Sequence, residues 1–295
     1  MSKLLSIVVA NFNYGRYLES AIKSVVGQDG FEECELIICD AASTDNSVEI
    51  IRRYAGELPP NTHLSAIKQS NGPKTSNYLS WWCSEKDKGQ SDAFNKGFSH
   101  ATGKYLTWLN ADDILVPGCL KRVLAEMKRH PKCEWFTGNM FRFTEEGAVI
   151  EAPWGAHWLP KWIQGRGMPT AVYGPTTFFS KRIFEEAGRM KVYQNFMMDT
   201  DLWMRFIKMG VKQRRINCFC WAFRMHVDSK TAEFGDHKLP PDQRAKFEAE
   251  RVRSMKETGY CRSKLNFWVI RLWRLLDGSM IRGMIIRKRF KHYAV

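Results

Sequence analysis

Four times within its first 130 residues the chain runs a short apolar segment into a polar loop, then into apolar residues at helical spacing. Leu4 to Ala10 leads through Asn11–Gly15 to Tyr17–Val26, where Leu18, Ala21, Ile22 and Val25 fall on one face. Glu35 to Cys39 leads through Asp40–Asp45 to Ser47–Tyr54, which Asp45 or a neighbouring hydroxyl can cap. Tyr78 to Trp82 precedes a helix over Gln90–His100, and Lys104 to Leu109 precedes one over Pro117–Arg129. A further strand is expected near His63–Ile67. Strand and helix alternating at this interval build right-handed parallel crossover units, so the chain is α/β, a mostly parallel sheet with helices on both faces. Ligands of such sheets gather beyond the carboxyl ends of the strands. Asn11 to Asn13, Asp40 to Asp45 and Asp112–Asp113 occupy those ends and should converge on one crevice.

The crevice residues limit its chemistry. Asp112 and Asp113 repel each other unless a cation or hydrogen-bond donors lie between them. Alone, Asn110, Asp112 and Asp113 would equally suit a turn or a helix cap. Asp40 and Asp45 beside Ser43 and Thr44 suit hydroxyls or a base N–H and repel phosphate. No GxGxxG and no GxxxxGK[ST] occurs, which weakens dinucleotide and P-loop readings. A phosphorylated ligand beside the Asp pair therefore requires a divalent metal, Mg2+ or Mn2+ by its oxygen ligands.

Four segments then carry a resemblance. "SIVVANFNYGRYLESAIKSVVGQ", "LIICDAASTDNSVEII", "GQSDAFNKGFSHATGKYLTWLNADD" and "MMDTDLWMRF" resemble, in this order, the inverting family 2 glycosyltransferases with the GT-A (Rossmann-like) fold, over roughly residues 4 to 231. Ser84 to Gly97 and Arg224 to Thr231 are similar to bacterial transferases that build cell-surface polysaccharides. The resemblance implies that Phe12 stacks on the nucleotide base and that Asp40 holds the nucleoside, with Ala41 where a second acid usually stands. It also implies nucleotide-sugar contacts from Asn11, Asn13, Gln90, Asp92 and Asn110, beside Ser91. Asp112 and Asp113 match the DxD-type motif, with Asp113 as metal ligand and Asp112 as ribose or outer contact; Asn110 stands where a strict DxD would begin. His226 resembles a late histidine that reaches the metal or diphosphate, with Arg224, Ser229 and Lys230 nearby to steady the leaving group.

Inverting transfer needs one carboxylate to deprotonate the acceptor hydroxyl. Asp199 matches the family position for this base and is favoured over Asp201, a first-turn acid of a helix. Trp154, Trp158 and Trp162 lie in a Pro/Gly-broken stretch that could read the acceptor or cover the sheet. The expected reaction is metal-dependent transfer from a UDP-hexose or UDP-N-acetylhexosamine to a glycan, lipid-linked in surface polysaccharide synthesis. A sugar nucleotidylyltransferase is the alternative of similar fold, but Asn11 to Arg16 lacks its Gly-rich triphosphate loop.

Charge adds a second theme. Of the net +14, residues 262 to 295 carry +8, nine Lys/Arg against Asp277. Leu265, Trp268, Val269, Leu272, Trp273, Leu275 and Leu276 share one helical face, which could dock on the catalytic domain or lie on an anionic leaflet. The expected division is a catalytic domain over 1–231 and a basic helical, membrane-associating extension over 232–295. A basic nucleic-acid-binding protein is the non-enzymatic alternative, opposed by acidic loops that would face the phosphates. The eight cysteines are scattered, no signal peptide is visible, and no run reaches ~18 uncharged apolar residues. A cytoplasmic protein, peripheral on the inner face of the membrane, is the resulting expectation.

Overall fold

A computed structural model describes residues 3–57, 77–153, 172–227, 229, 241–259 and 264–290. The strand expected near His63–Ile67, the three tryptophans 154, 158 and 162, and Lys230 lie outside the described residues. In chain order the elements are β1 (Leu5–Asn11), α1 (Gly15–Val26), β2 (Cys34–Asp40), α2 (Ser47–Tyr54), β3 (Leu79–Ser84), α3 (Gln90–His100) and β4 (Tyr105–Asn110). There follow β5 (Ile114–Leu115), α4 (Cys119–Arg129), β6 (Trp135–Thr144), β7 (Val149–Glu151), β8 (Thr177–Ser180) and α5 (Lys181–Glu186). The last are α6 (Met198–Lys208), β9 (Gln213–Met225), α7 (Pro241–Thr258), α8 (Lys264–Leu276) and α9 (Ser279–Phe290).

The described strands form one sheet in the order β3-β2-β1-β4-β8-β6-β9-β5, with β7 added beside β6. From β3 to β4 every pairing is parallel, as the alternating pattern requires. Beyond β4 the sheet mixes directions: β8 runs antiparallel to both neighbours, and β9 runs parallel to β6 but antiparallel to β5. The fold is α/β with flanking helices, wholly parallel in the half that the first repeats build and mixed in the other.

Alternation along each strand makes two cores. Leu5, Ile7 and Val9 of β1 and Leu36 and Ile38 of β2 face a layer formed by α1, α2 and α4. The intervening Val8 and Ile37 face α3, α5 and α6, where Phe94, Phe98, Phe184, Trp203 and Phe206 are buried. A strand buried on both faces is why these segments read as unbroken apolar runs.

Register places the site. Asn11 pairs with Asp40, Ala10 with Asn110 and Asp40 with Ser84, so four strands end at one level. Because β8 is antiparallel, its beginning lies near the end of β4, and the turn Gly174–Thr176 that feeds it joins the same rim. From the other side β5 pairs with Trp221 and Ala222 of β9 and draws Asp112 and Asp113 towards residues 224 to 226. Helix α7, expected in the extension, is tied to the catalytic body: Ser254 Oγ donates to Asp201 (3.1 Å) and Tyr193 Oη to Glu257 (2.9 Å).

Close contact of α3 with the sheet depends on Gly97. A Cβ there would lie 2.4 Å from Val8 Cγ1 and 3.1 Å from Cys39 Sγ. Gly97→Ala should cost about 1–3 kcal/mol through overpacking, more than the ~1 kcal/mol that alanine contributes to a helix. Thermal unfolding should show a lower midpoint; an unchanged or raised midpoint would refute this account of the packing.

Candidate active site

Beyond the parallel strand ends opens a cavity of about 780 Å³. One wall is made by Asn11, Phe12, Ala41 and Thr44 from the loops after β1 and β2. The opposite wall is Gly174, Pro175, Asn195, Phe196, Met198 and Asp199. Asp112, Asn110, Trp221 and Phe223 line it from β4 and β9, and Gln90 at the start of α3 and Lys86 and Asp87 complete it.

Phe12 lines the first wall and is 57% exposed, an apolar ring held out towards the space. Its support is Asp40. Asp40 Oδ1 accepts from Asn11 Nδ2 (2.6 Å) and Ser43 Oγ (2.5 Å), and Oδ2 from the Ser43 amide (2.9 Å) and Ser84 Oγ (2.6 Å). All the in-plane acceptor positions of that carboxylate are filled from within the protein. Asp40 does not line the cavity, and its four hydrogen bonds hold the loops that do. Asn13 behaves similarly. It sits at positive φ, and its Oδ1 accepts from the Thr44 amide at 2.8 Å. Asp45 Oδ1 receives the Ser47 amide (3.0 Å) at the start of α2, while Oδ2 receives that of Gly15 (2.8 Å) at the start of α1.

The Asp pair is divided. Asp113 is fully buried; its Oδ1 accepts from the Arg224 amide (3.0 Å) and its Oδ2 from Asn110 Nδ2 (2.8 Å). Burial, reinforced by the adjacent Asp112 charge, pushes its carboxyl well above the usual carboxylate range. Neither Asp113 nor His226 lines the cavity, and both oxygens of Asp113 are engaged within the protein. Asp112 is the cavity-facing member, with Oδ2 3.0 Å from His226 Nε2. Asn110 also accepts from Gln90 Nε2 (2.7 Å), linking α3 to the end of β4.

His226 is buried against Tyr14 and Tyr17, with ring centroids 5.6 and 5.0 Å away, and its Nδ1 has no hydrogen-bond partner among the described residues. Arg224 does not reach into the cavity. Its guanidinium lies over the rings of Tyr17 (4.9 Å) and Phe143 (4.7 Å), and its Nε donates to the Asp112 carbonyl (2.9 Å). It braces the Asp pair where a diphosphate contact was expected. Asp92 is likewise turned to its own loop, accepting from the Lys88 amide at 3.0 Å. Ser229 lines the cavity.

Asp112 and His226 suit a divalent cation. Their 3.0 Å contact is a hydrogen bond in this structure, which a cation shared by the two side chains would replace. Among the described residues no group of three or more His, Cys, Asp or Glu side chains could hold a metal. A cation there would need further oxygens from water or a bound diphosphate, common for Mg2+ sites.

Asp199 and Asp201, two residues apart in the first turn of α6, have opposite surroundings. Asp201 is fully buried in an ion pair with Arg205 (2.8 Å) and accepts from Ser254 Oγ. Asp199 lines the cavity, and its Oδ1 accepts from the Thr200 amide (2.6 Å) and hydroxyl (3.2 Å). Burial raises its carboxyl above the usual range. The loop just before it is clamped by Glu250 of α7, whose two oxygens accept from the Asn195 amide (2.9 Å) and the Phe196 amide (2.8 Å). Sequence reasoning missed this clamp, since nothing sets Glu250 apart in a helix rich in charges. It also missed Trp221 and Phe223, although their two-residue spacing on the strand leading to His226 was a usable signal.

The family described as Glycosyl transferase family 2 matches residues 6–76 and 83–188, well over half of the chain. The chain belongs to that family. It is 26% identical over 216 residues to EpsE of Bacillus subtilis strain 168, covering 70% of this chain and 68% of that protein. It is 35% identical over 120 residues to the uncharacterized glycosyltransferase alr2836 of Nostoc, covering 41% of this chain and 31% of the relative. The minor teichoic acid biosynthesis protein GgaB of Bacillus subtilis is 31% identical over 126 residues, 42% of this chain and 12% of GgaB. The chain thus spans about a third or less of two of these relatives. Among solved structures, Staphylococcus aureus TarS 1-349 with UDP-GlcNAc superposes with a TM-score of 0.56 at 14% identity, covering 78% of this chain and 60% of that one. The mannosyltransferase PcManGT of Pyrobaculum calidifontis, with GDP-Man and Mn2+, gives 0.56 at 15% identity over 94% and 70%. These two establish the shared fold, GT-A.

The clamp gives a direct test of how the second wall is held. Glu250→Ala removes a charged acceptor from two backbone amides, each such bond contributing about 1.5–3 kcal/mol. Urea unfolding should show a loss of roughly 2–4 kcal/mol, with an intermediate loss for Glu250→Gln, which keeps one acceptor oxygen. A loss below about 0.5 kcal/mol for the alanine variant would mean the clamp is not formed.

Proposed function

We propose that the chain transfers a sugar, with inversion, from a nucleotide-sugar to a glycan acceptor, with Asp199 as the base. The observation that carries this reading is one cavity with Asp199 on one wall and Phe12 and Asn11 on the other, and with Asp112 beside His226. Asp199 is the acid there that lacks a cationic partner in its own hydrogen bonds and is raised by burial, which suits a group that must take a proton. Phe12 offers its ring to the base, while Asn11, Gln90 and Asn110 present polar groups to the ribose and sugar. Asp112 and His226 would hold Mn2+ or Mg2+, which would supply charge neutralisation for the leaving diphosphate.

The wall of Asn195, Phe196, Gly174 and Pro175 beside Asp199 then receives the acceptor. As the hydroxyl oxygen attacks the anomeric carbon, Asp199 takes its proton and the bond to the nucleoside diphosphate breaks on the opposite face. A UDP-hexose or UDP-N-acetylhexosamine is the first donor to test and GDP-mannose the second, in keeping with the ligands of the two structural neighbours. GgaB, named for teichoic acid biosynthesis, supports a bacterial surface glycan as the product. A lipid-linked acceptor at the cytoplasmic leaflet, with the chain peripheral on it, completes the reading.

Hydrolysis and transfer from a nucleotide-sugar panel with Mn2+ test it. Asp199→Asn should lower turnover by about 10²–10⁴-fold while donor affinity persists. Because burial raises the Asp199 carboxyl and only its ionised form accepts a proton, wild-type kcat/KM should fall on acidification, starting above the usual carboxylate range. A large loss in Asp201→Asn with full activity in Asp199→Asn would assign the base elsewhere. Asp112→Asn should remove the response to Mn2+ and the sensitivity to EDTA; retained metal dependence in that variant would sink the Asp112 assignment.

A further inference from the structure

We infer that α8 and α9 form a docking surface for an anionic lipid leaflet. The two helices are joined at Asp277–Gly278, where Gly278 takes a positive φ and the Ser279 amide donates to Asp277 Oδ1 at 2.8 Å. Among the described residues, seven of the twelve exposed large apolar side chains lie on this hairpin. On α8 they are Trp268, Leu272, Leu275 and Leu276; on α9 they are Ile281, Met284 and Ile285. Trp268 is 63% and Leu276 71% exposed. Their spacing, with steps of three and four, marks one outward stripe on each helix. The apolar face read from the sequence is therefore split: Val269 and Trp273 are half-buried, while their neighbours face away from the body.

Charge decides what covers the stripes. Arg271 and Arg282 are exposed among the apolar side chains, and residues 262–295 carry a net +8. Two copies of this chain meeting face to face would bring those charges together and repel. An anionic leaflet accepts both components, the apolar side chains at the acyl boundary and the cations among the headgroups. No described helix is long and apolar enough to cross a membrane, so attachment is to one leaflet. The docking rests on the proposed reading only in its purpose, bringing the cavity to a lipid-linked acceptor; vesicle binding is measured with neither donor nor acceptor.

The full chain should be tested by flotation with phosphatidylcholine vesicles containing or lacking about a third phosphatidylglycerol. Binding to the anionic vesicles is expected to be at least about ten-fold tighter than to neutral ones and to weaken as salt rises. Each basic residue near the surface contributes roughly five-fold. Reversing Arg271 and Arg282 together to Glu should weaken binding by at least about twenty-fold. Leu272→Asp with Ile285→Asp should weaken it by at least about ten-fold at an unchanged unfolding midpoint. Failure of the folded wild-type chain to float with anionic vesicles would overturn the inference. So would a wild-type dimer, seen by light scattering, that the apolar variants convert to monomer, since a second copy would then be the occupant.

Discussion

Asp40 is a buried carboxylate held by four donors rather than by a cation, and the site is assembled around it. Desolvating a carboxylate is costly unless its lone pairs are satisfied. Here the donors come from the ends of β1 and β3 and the loop after β2. The requirement for all of them fixes the relative level of three strands. It also holds Asn11 and the Ser43–Thr44 turn in place, and with them the wall that carries Phe12. Replacing the carboxylate by a smaller polar group would leave several buried donors unpaired at once, which is why it acts as a hub and not as one contact among many.

The same division between holding and presenting recurs on the other walls. Of the Asp112–Asp113 pair, one carboxylate is spent on the Arg224 amide and Asn110, and the other meets His226 at the cavity. Of Asp199 and Asp201, one lines the cavity and the other is locked by Arg205 and Ser254. In each pair the buried acid is engaged within the protein, Asp113 by the Arg224 amide and the Asn110 side chain and Asp201 by the Arg205 and Ser254 side chains. Arg224, stacked between two rings and bonded to the Asp112 carbonyl, completes one such brace, and Glu250 completes the other. A cavity able to bind a charged ligand thus keeps its exposed acids few and fixed, because most of the nearby charge is already neutralised or hydrogen-bonded.

The sequence by itself determined the strand–helix alternation and therefore the parallel half of the sheet. Strands buried on both faces must be apolar throughout, and helices that cover them must repeat every three or four residues; both patterns are local. It also determined that polar loops end those strands, which placed Asn11, Asp40 and Asp112–Asp113 at one crevice, while Phe12, Gln90 and Asp199 were nominated by the resemblance to family 2 glycosyltransferases. The resemblance assigned Asp113 to the metal and Asp112 to an outer contact and favoured Asp199 over Asp201, but no local pattern decides which acid of a pair faces the cavity. Asp112 and Asp113 belong to a turn closed by the Asp113 amide on the Asn110 carbonyl (3.1 Å), and side chains two apart on a helix point in very different directions, so which one faces the cavity is set by neighbouring elements. The burial of Asp113, the engagement of Asp40 and Arg224, and the clamp from Glu250 all depend on partners more than 28 residues away in sequence. The antiparallel β8 and the outward turn of Trp268 and Leu272 belong to the same class. Local pattern says that a residue will be buried or paired, but only the tertiary fold chooses the partner, because that choice is a matter of register and packing between segments the chain itself keeps far apart.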